Sequence, residues 1–141
     1  MGADNSPGAA GGVRTLLRLE GLALLAAALF LYAQSGASWR LFAILFLAPD
    51  LAFAFYAFGA RAGAFAYNTT HSTIGPFVLA LASQIDFAKP AIAQMPALLP
   101  FALIWFAHVG FDRALGYGLK YASGFSDTHL GAIGHKRAAA A

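Results

Sequence analysis

The sequence predicts an all-α integral membrane protein, a bundle of four transmembrane helices with short disordered tails. Three observations predict it. Of the 141 residues, 60% are hydrophobic and only 11% are charged, whereas an average soluble domain is roughly a quarter charged. The apolar residues come in long blocks, as bilayer-crossing helices do. Those blocks are separated by short stretches rich in glycine, proline or charge. The length suits one domain. Cysteine is absent, which excludes disulfides, iron–sulfur clusters and thiolate zinc sites. The net charge of +3 is small and uneven, so it reads as a topology signal and gives no reason to expect a nucleic-acid partner.

Residues 1–12 carry no periodicity and read as a disordered tail. The first span runs from about Val13 to Ala33, with Arg14 and Arg18 at its start. Ser35-Gly36-Ala37 loosely resembles a signal-peptidase site, but Glu20, lying between the basic region and the apolar core, argues against a cleaved signal. The second span covers about Leu41 to Phe58 and is interrupted by Pro49-Asp50. Residues Gly59 to Gly63 read as a tight turn closing a helical hairpin. The third span follows from Ala64 to Ala82, its first half polar and its second apolar. Ser83 to Lys89 is a polar loop. The fourth span extends from about Ala91 to Gly110, kinked by Pro96 and Pro100, with the helix running on through Asp112 towards Leu119. The domain thus covers residues 13–134, and residues 135–141 form a basic, alanine-ended tail.

Lysine and arginine set the orientation. Arg14, Arg18, Arg61, Arg113, Lys120, Lys136 and Arg137 fall on the side shared by the termini, and Arg40 and Lys89 on the other. Both termini of this multi-pass protein are therefore expected in the cytoplasm.

Each span carries an ionisable residue: Glu20, Asp50, His71, and His108 with Asp112. Such a group costs about 2.5–3.5 kcal/mol at a helix centre, so it normally faces the bundle interior and pairs. Asp50 and His71 flank the Gly59–Gly63 turn, each roughly 12–14 Å from it at 1.5 Å per residue, hence at matched depth. His108 and Asp112 lie four apart on one face, and Asn68 shares a face with His71. Arg113 cannot share the face of Asp112 and is expected to meet lipid phosphate or another acid. Asp127-Thr128-His129 lies in a non-helical segment able to fold back on the cytoplasmic mouth, and Tyr117 and Lys120 belong to the same polar region.

Imidazole with carboxylate suits zinc, manganese or iron. The leading expectation is a metal-dependent membrane hydrolase acting on a lipid-like or small amphipathic substrate. His71, His108, Asp112 and His129 would hold the metal, and Asp50 or Glu20 would act as base on a water that the ion acidifies. Alternatives are a proton-coupled transporter or channel subunit, with the same groups as a relay, or a haem-binding or structural subunit using His71 and His108 as axial ligands. The plainest alternative is a set of interior hydrogen-bonded pairs. Homo-oligomerisation stays open.

Leu17-Arg18-Leu19-Glu20-Gly21, Phe46-Leu47-Ala48-Pro49-Asp50-Leu51, Tyr67-Asn68 with His71, the run from His108 through Asp112-Arg113 to Lys120-Tyr121, and Asp127-Thr128-His129-Leu130-Gly131 resemble a family of small bacterial membrane proteins known only as a domain of unknown function. The likeness covers about Leu17 to Gly134. It implies a four-helix membrane protein, supplies no activity, and makes a cleaved first span harder to sustain because Glu20 belongs to a motif.

Overall fold

The computed structural model describes residues 8–84 and 98–134. Among these the fold is all-α: α1 (Gly11–Gln34), α2 (Trp39–Leu45), a 3-10 helix (Ala48–Phe58), α3 (Ala60–His71), α4 (Ile74–Ala82) and α5 (Leu99–Leu115). Two helical stretches, Gly11–Gln34 and Trp39–Phe58, are long and apolar enough to cross a membrane. The loop expected at Ser83 to Lys89 lies beyond Gln84 outside the described residues, as do the start of the fourth span, Pro96, residues 1–7 and the basic tail.

α1 and α5 form the central pair, and glycine lets them touch. A Cβ on Gly110 would lie 2.6 Å from the Leu25 amide nitrogen and 2.8 Å from the Gly21 carbonyl oxygen. One on Gly21 would lie 2.6 Å from Arg113 Cβ. Only hydrogen at both positions permits this backbone approach. At the far end of α1, Tyr32 is fully buried against Leu103 and Ile104. Its hydroxyl donates to the Ser38 carbonyl (2.7 Å), which fixes the corner into α2.

The second span breaks where Pro49 predicts, but it continues as a long 3-10 helix. With three residues per turn, Asp50, Phe53 and Tyr56 fall in one row. Phe53 packs on Tyr67 and Phe125, and Tyr56 on Phe125. In an α-helix the same residues would spiral away from α3 by about 60° per step.

The expected five-residue turn is a single residue. Gly59, at φ 105°, makes the corner, and α3 starts at once with Ala60. Gly63 lies inside α3, where its missing side chain admits the Tyr56 ring. The third span also differs, because α3 stops at His71 and α4 starts at Ile74. Pro76 explains the break: it has no N–H for the Ser72 carbonyl, and its ring would clash with that group. Pro100 does not kink α5 but stands in its first turn, where a missing N–H costs nothing. α5 ends at Leu115 rather than near Leu119, because Gly116 takes the left-handed conformation (φ 95°).

The segment after Gly116 folds back over the end of the bundle. Asn68 clamps it through both amide atoms: Nδ2 donates to the Lys120 carbonyl (2.9 Å) and Oδ1 accepts from the Lys120 amide (2.7 Å). The Ala9 amide donates to the His129 carbonyl (2.7 Å). Gly8 and Ala9 thus lie against the folded-back segment.

Candidate metal centre

Asp50 on the 3-10 helix, His71 at the end of α3, and His108 and Asp112 on α5 meet at one point. His71 Nε2 lies 3.0 Å from His108 Nε2, 3.2 Å from Asp50 Oδ1 and 3.4 Å from Asp112 Oδ2. His108 Nε2 lies 3.5 Å from Asp50 Oδ1 and 4.0 Å from Asp112 Oδ2. Both imidazoles are buried, at 3% and 1% exposure, while Asp112 is 13% and Asp50 32% exposed. The group is therefore closed on the histidine side and opens beside Asp50.

Two elements of register bring these side chains together. His108 and Asp112 are one turn apart on α5. Asp50 precedes Gly59 by nine residues and His71 follows it by twelve. A 3-10 rise of about 2.0 Å and an α rise of about 1.5 Å put both roughly 18 Å from the corner. The faster climb of the 3-10 helix compensates for its shorter count.

The surrounding groups orient the ligand atoms. His71 Nδ1 lies 3.0 Å from the Tyr67 carbonyl and 2.9 Å from Thr70 Oγ1. A carbonyl can only accept, so Nδ1 carries the proton and neutral His71 turns the Nε2 lone pair towards the group. The Tyr67 hydroxyl donates to Asp112 Oδ2 (2.8 Å), and its ring stacks on His71 at 3.6 Å. Thr70 is itself held, its hydroxyl near the Pro49 carbonyl (3.2 Å) and its own carbonyl accepting from Trp105 Nε1. Such partners are what fix ligating groups around a metal. His108 Nδ1, by contrast, is buried with no hydrogen-bond partner among the described residues.

Two carboxylate oxygens and an imidazole lone pair thus face one another in a nearly dry place. A proton on His108 Nε2 could serve only one of them. A cation would satisfy all four atoms at once. Five of the six separations average about 3.4 Å, and a regular tetrahedron of that edge would have its centre roughly 2.1 Å from each corner, near the usual zinc–ligand length. The donor set of two imidazoles and two carboxylates also suits manganese or iron.

The other residues expected at the site are placed elsewhere. Glu20, Arg113 and His129 line a separate small pocket of about 60 Å³ with Leu17, Gly21, Leu24 and Leu130. Arg113 thereby has its acid in Glu20. His129 Nδ1 accepts from the Leu119 amide (2.8 Å), and burial, with Arg113 adding to it, lowers the His129 pKa. Its ring is committed to holding the segment, packed where Gly118 has no side chain. Asn68 serves as the clamp described above. Lys120 is buried with Nζ over the rings of Phe125 (4.1 Å) and Tyr67 (5.0 Å), and burial lowers its pKa to about 8, partly offset by Asp112. Tyr117 is exposed, and its backbone amide caps α5 on the Asp112 carbonyl. Asp127 accepts from the Ser123 hydroxyl.

Sequence reasoning missed Tyr67 and Thr70 as supports of the site. Tyr67 was open to discovery, because it stands four residues before His71 on the same helical face. Thr70 gave no such signal, since its role depends on the Pro49 carbonyl across the hairpin.

No curated protein and no solved structure matches this chain. The sequence profile of one family matches residues 14–133, nearly the whole described chain. The chain belongs to that family, described as Domain of unknown function (DUF4260).

Proposed function

We propose that the protein is a four-span membrane protein in which Asp50, His71, His108 and Asp112 hold a divalent metal ion, and that it hydrolyses a lipid-like or small amphipathic substrate. The observation that carries this reading is the convergence of four ligand atoms, all within 4.8 Å of one another. Four spans are supported by the Ala9–His129 bond, which brings the start of α1 and the segment after α5 to one place, as an even number of crossings would. Large apolar side chains stand exposed along the helices, among them Phe30, Ile44, Leu51, Phe65, Phe77 and Phe101. Water would not tolerate so continuous a surface, and lipid would.

A divalent ion held by this group would supply Lewis acidity. The chain supplies the rest. Tyr67 fixes Asp112, and the Tyr67 carbonyl with Thr70 fixes His71. Asp50, the most exposed of the four, could act as base towards an entering water only by leaving the ion, which His71, His108 and Asp112 would then hold, since a catalytic centre keeps one position open. Glu20, in its own pocket with Arg113, is not in reach of that role. Two apolar cavities of about 280 and 510 Å³ share Ala48 and Thr70 as walls, which places room for a hydrocarbon chain one residue from His71.

A second reading, a proton-coupled transporter, is favoured by the helix break after His71, because interrupted helices mark many transport sites. The haem reading fits poorly, since two imidazole nitrogens 3.0 Å apart leave no slot for a macrocycle.

Elemental analysis of detergent-purified protein tests the centre. Stoichiometric zinc, manganese or iron is expected, and His108→Ala should lose it. Failure to take up any of the three on equilibrium dialysis would overturn the metal reading. Reporters after Gly36 and Gly59 test the spans: the first should be external and the second cytoplasmic.

A further inference from the structure

A cleft between α1 and the end of α5 plays no part in the chemistry above. It holds about 320 Å³, and its walls are Thr15, Arg18, Leu19, Leu22, Ala114 and Leu115. The four residues from α1 stand at i, i+3, i+4 and i+7 and so share one face. Their order is polar first and apolar after: Thr15 and Arg18 near the helix start, then Leu19 and Leu22 a turn deeper. Leu19, Leu22 and Leu115 are each at least half exposed.

Arg18 is exposed but not loose. Its Nε donates to the Ala114 carbonyl (2.8 Å), one of the last four carbonyls of α5, which have no partner within the helix. That bond holds the planar guanidinium and leaves both Nη groups for another acceptor. One turn earlier, Arg14 reaches in beside Gly116 and Gly131, and its Nε is buried without a hydrogen-bond partner among the described residues. The nearby acid, Glu20, lines the pocket of Arg113 instead. The cleft is thus cationic at its rim and hydrocarbon in its depth.

We infer that this cleft binds an anionic phospholipid of the leaflet on the terminal side. The phosphate sits on Arg18 with Arg14 behind it, and an acyl chain lies along Leu19, Leu22 and Leu115. Free phosphate would leave the leucine wall unused, and a zwitterionic lipid would bring its own cation to an arginine rim. Basic pockets between helices at this level are recognised sites for anionic head groups. The inference rests on the bilayer reading but is independent of the metal.

Thermal unfolding of the full chain in mild detergent, with phosphatidylglycerol or phosphatidylcholine added at equal mole fraction, tests it. Phosphatidylglycerol should raise the midpoint by several degrees more than phosphatidylcholine, since a ligand of the native state stabilises it. Arg18→Gln should abolish that excess. Leu22→Trp, which fills the apolar part and leaves the arginine bond intact, should abolish it too, so the test survives if Arg18→Gln fails to fold. Arg40→Gln, at the opposite end of α1, should keep it. Equal shifts with the two lipids, or an excess that persists in Leu22→Trp, would overturn the inference while leaving the bilayer reading intact. A chain that stays monodisperse without detergent would overturn both.

Discussion

His71 Nε2 lies 3.2 Å from Asp50 Oδ1, although one belongs to an α-helix and the other to a 3-10 helix of different pitch. The Gly59 corner joins the two helices, and Phe53 on Tyr67 and Tyr56 over Gly63 pack them together. If an ion joins the pair, Asp50→Asn and His71→Ala should each abolish stoichiometric metal while the protein still inserts. If the two simply bond to each other, each single change should destabilise by a few kcal/mol and a double apolar replacement should recover much of it. Unfolding of the four proteins in detergent, with and without a chelator, separates these outcomes. Strong coupling untouched by chelator would remove the metal from this pair.

Gly110→Ala should loosen the α1–α5 crossing. The added carbon would meet backbone, the Leu25 nitrogen at 2.6 Å, and backbone cannot rotate aside. Overpacking of this kind costs about 1–3 kcal/mol. Gly12→Ala, with nothing within 4 Å of the added carbon, is the matched control. It should be neutral or slightly stabilising, because alanine favours a helix over glycine by about 0.5–1 kcal/mol. Unfolding midpoints of both variants give the comparison, and equal midpoints would count against close packing here.

Lys120 should give the protein an alkaline stability gradient. Its pKa falls to about 8 on folding because the ammonium is buried. Between that value and the ordinary lysine value the unfolded chain holds a proton that the folded chain has lost. Stability therefore rises with pH across that window and is least helped below it, where both states are charged. Lys120→Met should flatten the gradient. Midpoints of denaturation taken through the window measure it, and an unchanged slope in the variant would assign the effect elsewhere.

Much of this was legible in the sequence. Matched counts around the Gly59 region pointed Asp50 and His71 at each other, and the four-residue spacing of His108 and Asp112 put both on one face. The same counting did not separate Glu20, which lines a small pocket of its own with Arg113. Depth follows from position along a helix, whereas azimuth depends on how α1 and α5 roll against each other. That roll is set by Gly21 and Gly110, residues with no side chain to advertise the contact. His129 was read from its chemistry, yet the contact that decides its role is with the backbone of Leu119. The break after His71 was hidden because Pro76, its cause, lies five residues further on.

The 3-10 winding of residues 48–58 makes this helix a stretched spring. Rewinding to an α-helix would shorten the chain between Asp50 and Gly59 by about 0.5 Å per residue, or roughly 4–5 Å in all, and would swing Asp50 around the axis. Asp50 would then withdraw towards the corner while His71, on an α-helix already at its relaxed pitch, stayed in place. The carboxylate–imidazole distance is thus a ruler for the pitch of this one segment, and a group gripping both residues would hold the spring extended.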